Sequence, residues 1–311
     1  MKSFAAGNAF AFSAVILFST YTIFSKILVV NISPLTLAAV SQGISIFVVI
    51  LFFGAIPQFK KILHMPLREV AAIIVIGILG TVAGPLLFLK GLEHTSAVDA
   101  ILLVELDTLF VPVIATLWLK DKITGHQLGG GLLMLGGLYF IFTQGLKMNL
   151  SFGSGDLLIA LSALCYAFSL NTFKKYLHDI PSERVMIIGD TMGVLLLFFA
   201  APTLLNLPHH FAPIFRPEVF KPLFFFSIIG IAIARFLWFR AVNLIPAYRA
   251  TLISLLSPFL ALILAAIFLK ESLQWFHMIG AALVILGMSL GVFSDLGTHR
   301  LKADQNVKRH V

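Results

Sequence analysis

The chain has 311 residues, of which 59% are hydrophobic and 12% are charged, with a net charge of +8 and a mean hydropathy of +1.01. A soluble domain carries about 25% charged residues, so this composition excludes a water-soluble globular protein and predicts a polytopic membrane protein. The basic residues are scattered through short loops between apolar runs instead of being gathered on one face, which argues against nucleic-acid binding.

Apolar runs of about 20 residues, the length of a membrane-crossing helix, recur along the whole chain. They are bounded by Pro, Gly, Asn and clusters of charge. The predicted spans are 5–25, 33–54, 68–89, 96–119, 126–145, 155–174, 184–204, 222–241, 246–269 and 275–294. Because the runs are long and continuous, unlike the alternating strands of membrane barrels, we expect an all-α protein with ten transmembrane helices.

The loops between the spans differ in their content of Lys and Arg. If the N-terminus is cytoplasmic, fifteen of the 22 basic residues lie on the cytoplasmic side and six lie outside, with Arg235 inside a span. Since cytoplasmic loops carry the excess of basic residues, this distribution predicts that both termini are cytoplasmic.

The second half of the chain repeats the first at a nearly constant offset. At an offset of 150 residues, Lys120-Asp121 aligns with Lys270-Glu271 and Ala97 aligns with Ala247. Lys26 aligns with Lys174 at an offset of 148. Each half holds five spans, so the second half enters the membrane from the opposite side. We expect two inverted five-helix repeats, at 1–146 and 147–295, followed by a polar cytoplasmic tail at 296–311. Such inverted repeats are a common plan in secondary transporters.

The matching segments 95–137 and 245–287 resemble the EamA repeat of the drug/metabolite transporter superfamily. Ser257-Pro258-Phe259 and Leu269-Lys270-Glu271 match its pattern closely, whereas the first half has Asp107-Thr108 where the family often has Glu-Pro. The resemblance implies that spans 1, 3, 4, 6, 8 and 9 line a central cavity and that spans 5 and 10 pack at the periphery. It also implies export or exchange of small metabolites, often amino acids.

Two carboxylates interrupt the apolar sequence ILLVELDTLF at 101–110. An acid at the centre of a membrane helix costs about 2.5–3.5 kcal/mol on insertion scales, so it faces a cavity or a partner. Glu105 and Asp107 lie about 200° apart around a helix and cannot share one face. Each carboxylate is a candidate for proton exchange, for binding a cationic group of a substrate, or for a structural bond between helices.

Arg235 is the basic residue that lies well inside a span, about 10 Å from the cytoplasmic end of span 8 at 1.5 Å per residue. Asp190 in span 7 lies at a similar depth. We therefore expect either an ion pair between Arg235 and Asp190, or an Arg235 that binds a substrate carboxylate in the cavity. Trp238, one helical turn from Arg235, is a candidate for stacking on the substrate or for interfacial packing.

Other polar residues at membrane depth complete the set of candidate cavity residues. Tyr166 and Asn171 in span 6 are expected either to contact the substrate or to bond a neighbouring helix. Cys165 is the single cysteine, which excludes an intramolecular disulfide and CxxC motifs. No metal site and no cofactor are expected.

Motifs of membrane enzymes and pumps are absent from the sequence. HExxH and GxSxG do not occur, all nine histidines fall near helix ends, in loops or in the tail, and there is no GxxxxGK[ST]. We expect a multi-pass protein of the cytoplasmic (bacterial inner) membrane, a monomer or weak homodimer, that moves a small polar metabolite such as an amino acid by alternating access. Export, with possible proton coupling, is the leading expectation. Uptake, a nucleotide-sugar or drug substrate, and a non-transporting scaffold or sensor are the alternatives.

Overall fold

The computed structural model is helical, and its described residues contain no strand. The structure describes residues 2–53, 65–120, 123–147, 152–199, 212–245 and 247–290. The expected polar tail at 296–311 and Asp121 of the repeat motif lie outside these ranges.

Helical segments occupy all ten predicted spans. In the first half they are α1 (Lys2–Ser19 and Tyr21–Val29), α2 (Pro34–Phe53), α3 (Leu67–Ile76, Gly77–Ala83 and Gly84–Leu92), α4 (Ala97–Val104, Leu106–Ile114 and Ala115–Leu119) and α5 (Gly125–Phe142). In the second half they are α6 (Ser154–Tyr176), α7 (Ser182–Phe199), α8 (Pro217–Phe225, Phe226–Ile233 and Ala234–Leu244), α9 (Ala247–Ser254, Leu256–Leu264 and Ala265–Leu269) and α10 (Trp275–Leu290).

Seven of these helices in the described part of the chain are long and apolar enough to cross a membrane, namely α1–α4, α6, α8 and α9. The helix α10 is apolar but shorter. An all-α protein with several membrane-length helices is therefore confirmed. Ten crossings and the cytoplasmic location of both termini stay predictions.

The helices α4 and α9 share the same irregularities at an offset of 150 residues. Each is interrupted near its middle, at Glu105 in α4 and at Leu255 in α9. In α9 the cause is Pro258, whose ring clashes with the carbonyl of the residue four positions earlier. In α4 Thr108 stands at the equivalent position, and its N–H bonds to the Glu105 carbonyl at 3.0 Å, a tighter turn than that of an α-helix.

The ends of α4 and α9 are also alike. Each finishes in a π-helical segment, Ala115–Leu119 or Ala265–Leu269, and is followed by a lysine in the left-handed region. The φ angle is 63° at Lys120 and 55° at Lys270. The two halves of the sequence therefore fold the same way in these helices.

Glu271 of the Leu-Lys-Glu motif caps the start of α4. The N–H groups of Ala97 and Val98 donate to its Oε1 and Oε2 at 2.9 and 3.1 Å. These N–H groups have no partner within the helix, and a carboxylate is favoured at a helix N-terminus. Glu271 therefore links the segment that follows α9 to the N-terminus of α4, the helix that carries Glu105.

Helices of one half pack mainly on helices of the other. α1 packs on α8 and α9, α6 packs on α3 and α4, α2 packs on α8, and α7 packs on α3. Glycines bring α5 and α10 together, since a Cβ at Gly137 would lie 2.6 Å from the Gly280 carbonyl oxygen and one at Gly287 would lie 2.4 Å from that of Gly130. Small residues allow such close approach of membrane helices.

Candidate functional site

A cavity of about 210 Å³ lies where the middles of α1, α4 and α9 meet α3 and α6. Both halves of the chain contribute to it, as do five of the six helices that the family resemblance implies. The lining residues are Phe18, Ser19, Tyr21, Thr22, Phe88, Ile101, Val104, Glu105, Tyr166, Ser257, Pro258 and Ala261.

Glu105 supplies the carboxylate of this wall. It occupies the interruption of α4, between Ala97–Val104 and Leu106–Ile114. Across the described ranges, its carboxylate has no hydrogen-bond or ion-pair partner. An unpaired charge in apolar surroundings is costly, so this group is suited to bind a proton or a cationic ligand.

Asp107 is not among the residues that line this cavity. Its Oδ1 accepts a hydrogen bond from the Thr108 hydroxyl at 3.1 Å. The two acids of ILLVELDTLF are therefore in different surroundings, in keeping with their separation of about 200° around the helix.

Hydroxyl groups join α1 to α9 at the cavity wall. The Ser19 hydroxyl lies 2.8 Å from the Val15 carbonyl, 3.1 Å from the Ser257 carbonyl and 3.4 Å from the Ser257 hydroxyl. Ser257 and Pro258 belong to the family motif and follow the interruption of α9, and both line the cavity, as does Glu105 at the interruption of α4.

Aromatic rings form much of the remaining wall. The Tyr21 ring lies 5.7 Å from that of Phe88 and 5.2 Å from that of Phe226, centroid to centroid. The Phe18 ring contacts Trp238 edge-on at 6.3 Å. Trp238 is itself not among the lining residues and packs against Phe18, which is.

Arg235 is paired outside the cavity lining. Its Nη1 donates to Asp190 Oδ2 at 2.7 Å, and the Thr81 hydroxyl donates to Asp190 Oδ1 at 2.6 Å. Arg235 and Asp190 are mostly buried, with 19% and 15% of their side chains exposed. The cluster joins α3, α7 and α8, and therefore both halves of the chain.

Tyr166 and Asn171, both on α6, differ in position. Tyr166 lines the cavity. Asn171 is fully buried and its Nδ2 donates to the carbonyls of Val111 and Ala167 at 3.1 and 2.9 Å, so it bonds α6 to α4. The structure thus places Asn171 as a link between helices.

Gly84 on α3 makes room for the Tyr166 ring. A Cβ at Gly84 would lie 2.6 Å from Tyr166 Cε1 and 2.9 Å from the Leu79 carbonyl oxygen. We expect Gly84→Ala to displace the Tyr166 ring and to lower transport, with a cost of about 1–3 kcal/mol for overpacking. Solute flux in proteoliposomes and the thermal midpoint of the purified protein measure the two effects. The matched control is Gly136→Ala, where a Cβ would meet nothing within 4 Å; equal losses in the two variants would contradict the prediction.

Several wall residues were not predicted from the sequence. Ser19, Tyr21 and Thr22 form part of a polar run in the otherwise apolar first span, which was the available signal. Ser257 belongs to the family motif, which by itself predicts no role in a site. Phe18 and Phe88 carry no local signal, because phenylalanine is common throughout the chain.

The family model of EamA-like transporters matches the chain twice, over residues 5–143 and 153–293. The chain belongs to the EamA-like transporter family. It is thus a multi-pass membrane transporter and not, on this likeness, an enzyme.

Similar proteins carry the same general description. An uncharacterized transporter of Synechocystis sp. is 23% identical over 259 residues, which cover 81% of this chain and 74% of that protein. The uncharacterized transporter YyaM of Bacillus subtilis is 29% identical over 231 residues, covering 71% and 72%. A solved crystal structure matches with a TM-score of 0.62 and 17% identity over 96% of this chain and 99% of that one. This last likeness supports the fold.

Proposed function

We propose that this transporter is a secondary transporter that exports a small polar metabolite, an amino acid or a related amine, across the cytoplasmic membrane by alternating access. The observation that carries the proposal is the Glu105 carboxylate, which has no hydrogen-bond or ion-pair partner among the described residues and lines a cavity that both halves of the chain build. Discontinuous helices that meet at such an interface are a common plan for transporter binding sites.

An asymmetry between equivalent lysines supports alternating access. Lys26, at the end of α1, donates to the carbonyls of Leu92 and Thr95 at 2.7 and 2.6 Å and so holds the α3–α4 connection. Its repeat counterpart Lys174, at the end of α6, is exposed beside a second pocket of about 500 Å³. Within the described ranges Lys174 has no bond to the α8–α9 connection. With the predicted topology, this pattern fits an outer end that is closed in this conformation.

Under alternating access, Lys26 and Lys174 are expected to swap roles: the lysine that is bonded in one state is exposed in the other. Lys26→Gln is expected to favour the outward-open state, and Lys174→Gln to favour the present one. A hydrogen bond from a charged group contributes about 1.5–3 kcal/mol, hence about a tenfold shift in population. Labelling of Ser257→Cys, in a Cys165→Ser background, by an impermeant thiol reagent from outside measures the shift. Labelling that changes in the same direction in both variants would contradict this swap of roles between the two lysines.

Proton coupling is part of the proposal. The Glu105 carboxyl is neutralised either by a proton or by a bound cation, so a proton gradient is expected to drive flux. The ionisable groups nearest to it in the wall are Tyr21 and Tyr166, with Asp107 two residues along α4 and Arg235 held by Asp190. Flux that is indifferent to an imposed pH gradient would exclude this coupling.

The deciding experiment is reconstitution of the purified full chain in liposomes with a metabolite panel, with and without a pH gradient. Gradient-dependent movement of at least one small polar solute is expected. If no solute moves in a preparation that is folded and correctly inserted, the transport proposal is wrong and a scaffold or sensor becomes the better interpretation.

A further inference from the structure

We propose that the substrates are small organic cations, an ammonium group on a compact apolar or aromatic body, and not zwitterionic amino acids. This inference rests on the proposed transport function and narrows it. It concerns the same cavity and follows from the charges and rings of its wall.

The charge of the described wall comes from one group. Among the described residues that line the cavity, Glu105 carries the carboxyl group, and there is no lysine, arginine or histidine. A cationic group entering the cavity therefore meets a carboxylate that no described residue pairs with. A substrate carboxylate would meet no cation in the described lining and would be repelled by Glu105 at short range.

Arg235 does not change this balance. Its Nη1 is 2.7 Å from Asp190 Oδ2, and Asp190 also accepts a bond from Thr81, so the guanidinium charge is compensated within its own cluster. Recruiting Arg235 for a substrate carboxylate would break a mostly buried ion pair and leave Asp190 without its partner, which is strongly unfavourable.

The rings of the wall favour the same class of ligand. Four aromatic side chains, Phe18, Tyr21, Phe88 and Tyr166, line a cavity that also holds Glu105. An ammonium group is attracted to the face of an aromatic ring, most strongly where water is excluded. Packing of Tyr21 on Phe88 and Phe226 holds these rings in place.

The size of the cavity limits the substrate further. Drug-sized ligands occupy pockets of about 300–1,000 Å³, whereas this cavity measures about 210 Å³. Besides the Glu105 carboxyl, the polar groups of the lining are the hydroxyls of Ser19, Thr22 and Ser257 and those of Tyr21 and Tyr166, which suit a small substrate with few polar groups. A single ring with a short ammonium substituent is the kind of molecule that the site fits.

Three solutes that share one phenyl ring and differ in charge test the inference: phenyltrimethylammonium, phenylalanine and benzenesulfonate. Each is loaded into proteoliposomes that contain the full chain, and its efflux is measured against protein-free liposomes. We expect phenyltrimethylammonium to move at least tenfold faster than the other two. Its binding, measured as ligand-induced thermal stabilisation, is expected to weaken at least tenfold in Glu105→Gln.

The outcomes separate this inference from the transport proposal. Movement of phenylalanine or benzenesulfonate as fast as the cation, or cation binding that is unchanged in Glu105→Gln, overturns the cationic class while leaving transport intact. Movement of other panel solutes without phenyltrimethylammonium has the same meaning. Absence of movement for every solute of the wider panel overturns the transport proposal itself.

Discussion

Glu105→Gln is expected to reduce transport at least about thirtyfold, whereas Asp107→Asn is expected to retain most of it. Glu105 lines the cavity without a hydrogen-bond or ion-pair partner in the described chain, and Asp107 lies outside the lining, where it accepts a bond from Thr108. The partner proposed for Glu105 is the cationic group of the substrate. Removing one partner of such a buried charge pair costs about 2–5 kcal/mol, and each 1.4 kcal/mol is a factor of ten. Initial flux in proteoliposomes at equal protein content measures the difference.

The comparison of the two acids is controlled by their shared position. Both lie within one turn of α4, so a general disturbance of the helix would reduce transport in both variants. Thermal midpoints of the purified variants check that each is folded. A larger loss in Asp107→Asn than in Glu105→Gln would show that the functional carboxylate is the one outside the described cavity.

The helical architecture and the repeat were predictable because they depend on periodic features of the sequence. Uninterrupted apolar runs indicate membrane helices, and the offset of 150 residues aligns Lys120 with Lys270, which share a left-handed backbone conformation in the structure. The role of Glu271 was not predictable. A motif match shows that a carboxylate recurs at a position, but not which helix terminus it caps.

The cavity was predictable only in part, because periodicity places residues around a helix without identifying the neighbouring helix. The acids at 105 and 107 were expected to face different ways, yet which of them lines the cavity depends on how α4 packs on α1, α6 and α9. For Arg235 and Asp190 the matching depths within spans 8 and 7 carried the information. Thr81 had no such signal, since a threonine in an apolar run is not distinctive.

The Asp190–Arg235 pair is expected to contribute strongly to stability, and only as a pair. Asp190→Asn leaves the mostly buried Arg235 guanidinium without its counter-charge, and Arg235→Gln leaves the Asp190 carboxylate without its own. Breaking a buried ion pair from one side costs about 3–5 kcal/mol, whereas replacing both charges is far less costly. With about 2–4 °C of Tm per kcal/mol, each single variant is expected to melt at least about 6 °C below the parent.

A double-mutant cycle with Asp190→Asn, Arg235→Gln and both together distinguishes a pair from two independent residues. The double variant is expected to recover much of the loss, because neither charge remains uncompensated and the amides still bond. Asp179→Asn is the matched control, since Asp179 is 86% exposed and pairs with His178 at the surface. Thermal unfolding of the purified chain in detergent measures all four variants. Losses that simply add in the double variant would mean that Asp190 and Arg235 act separately, and the junction of α3, α7 and α8 would then owe its stability to packing.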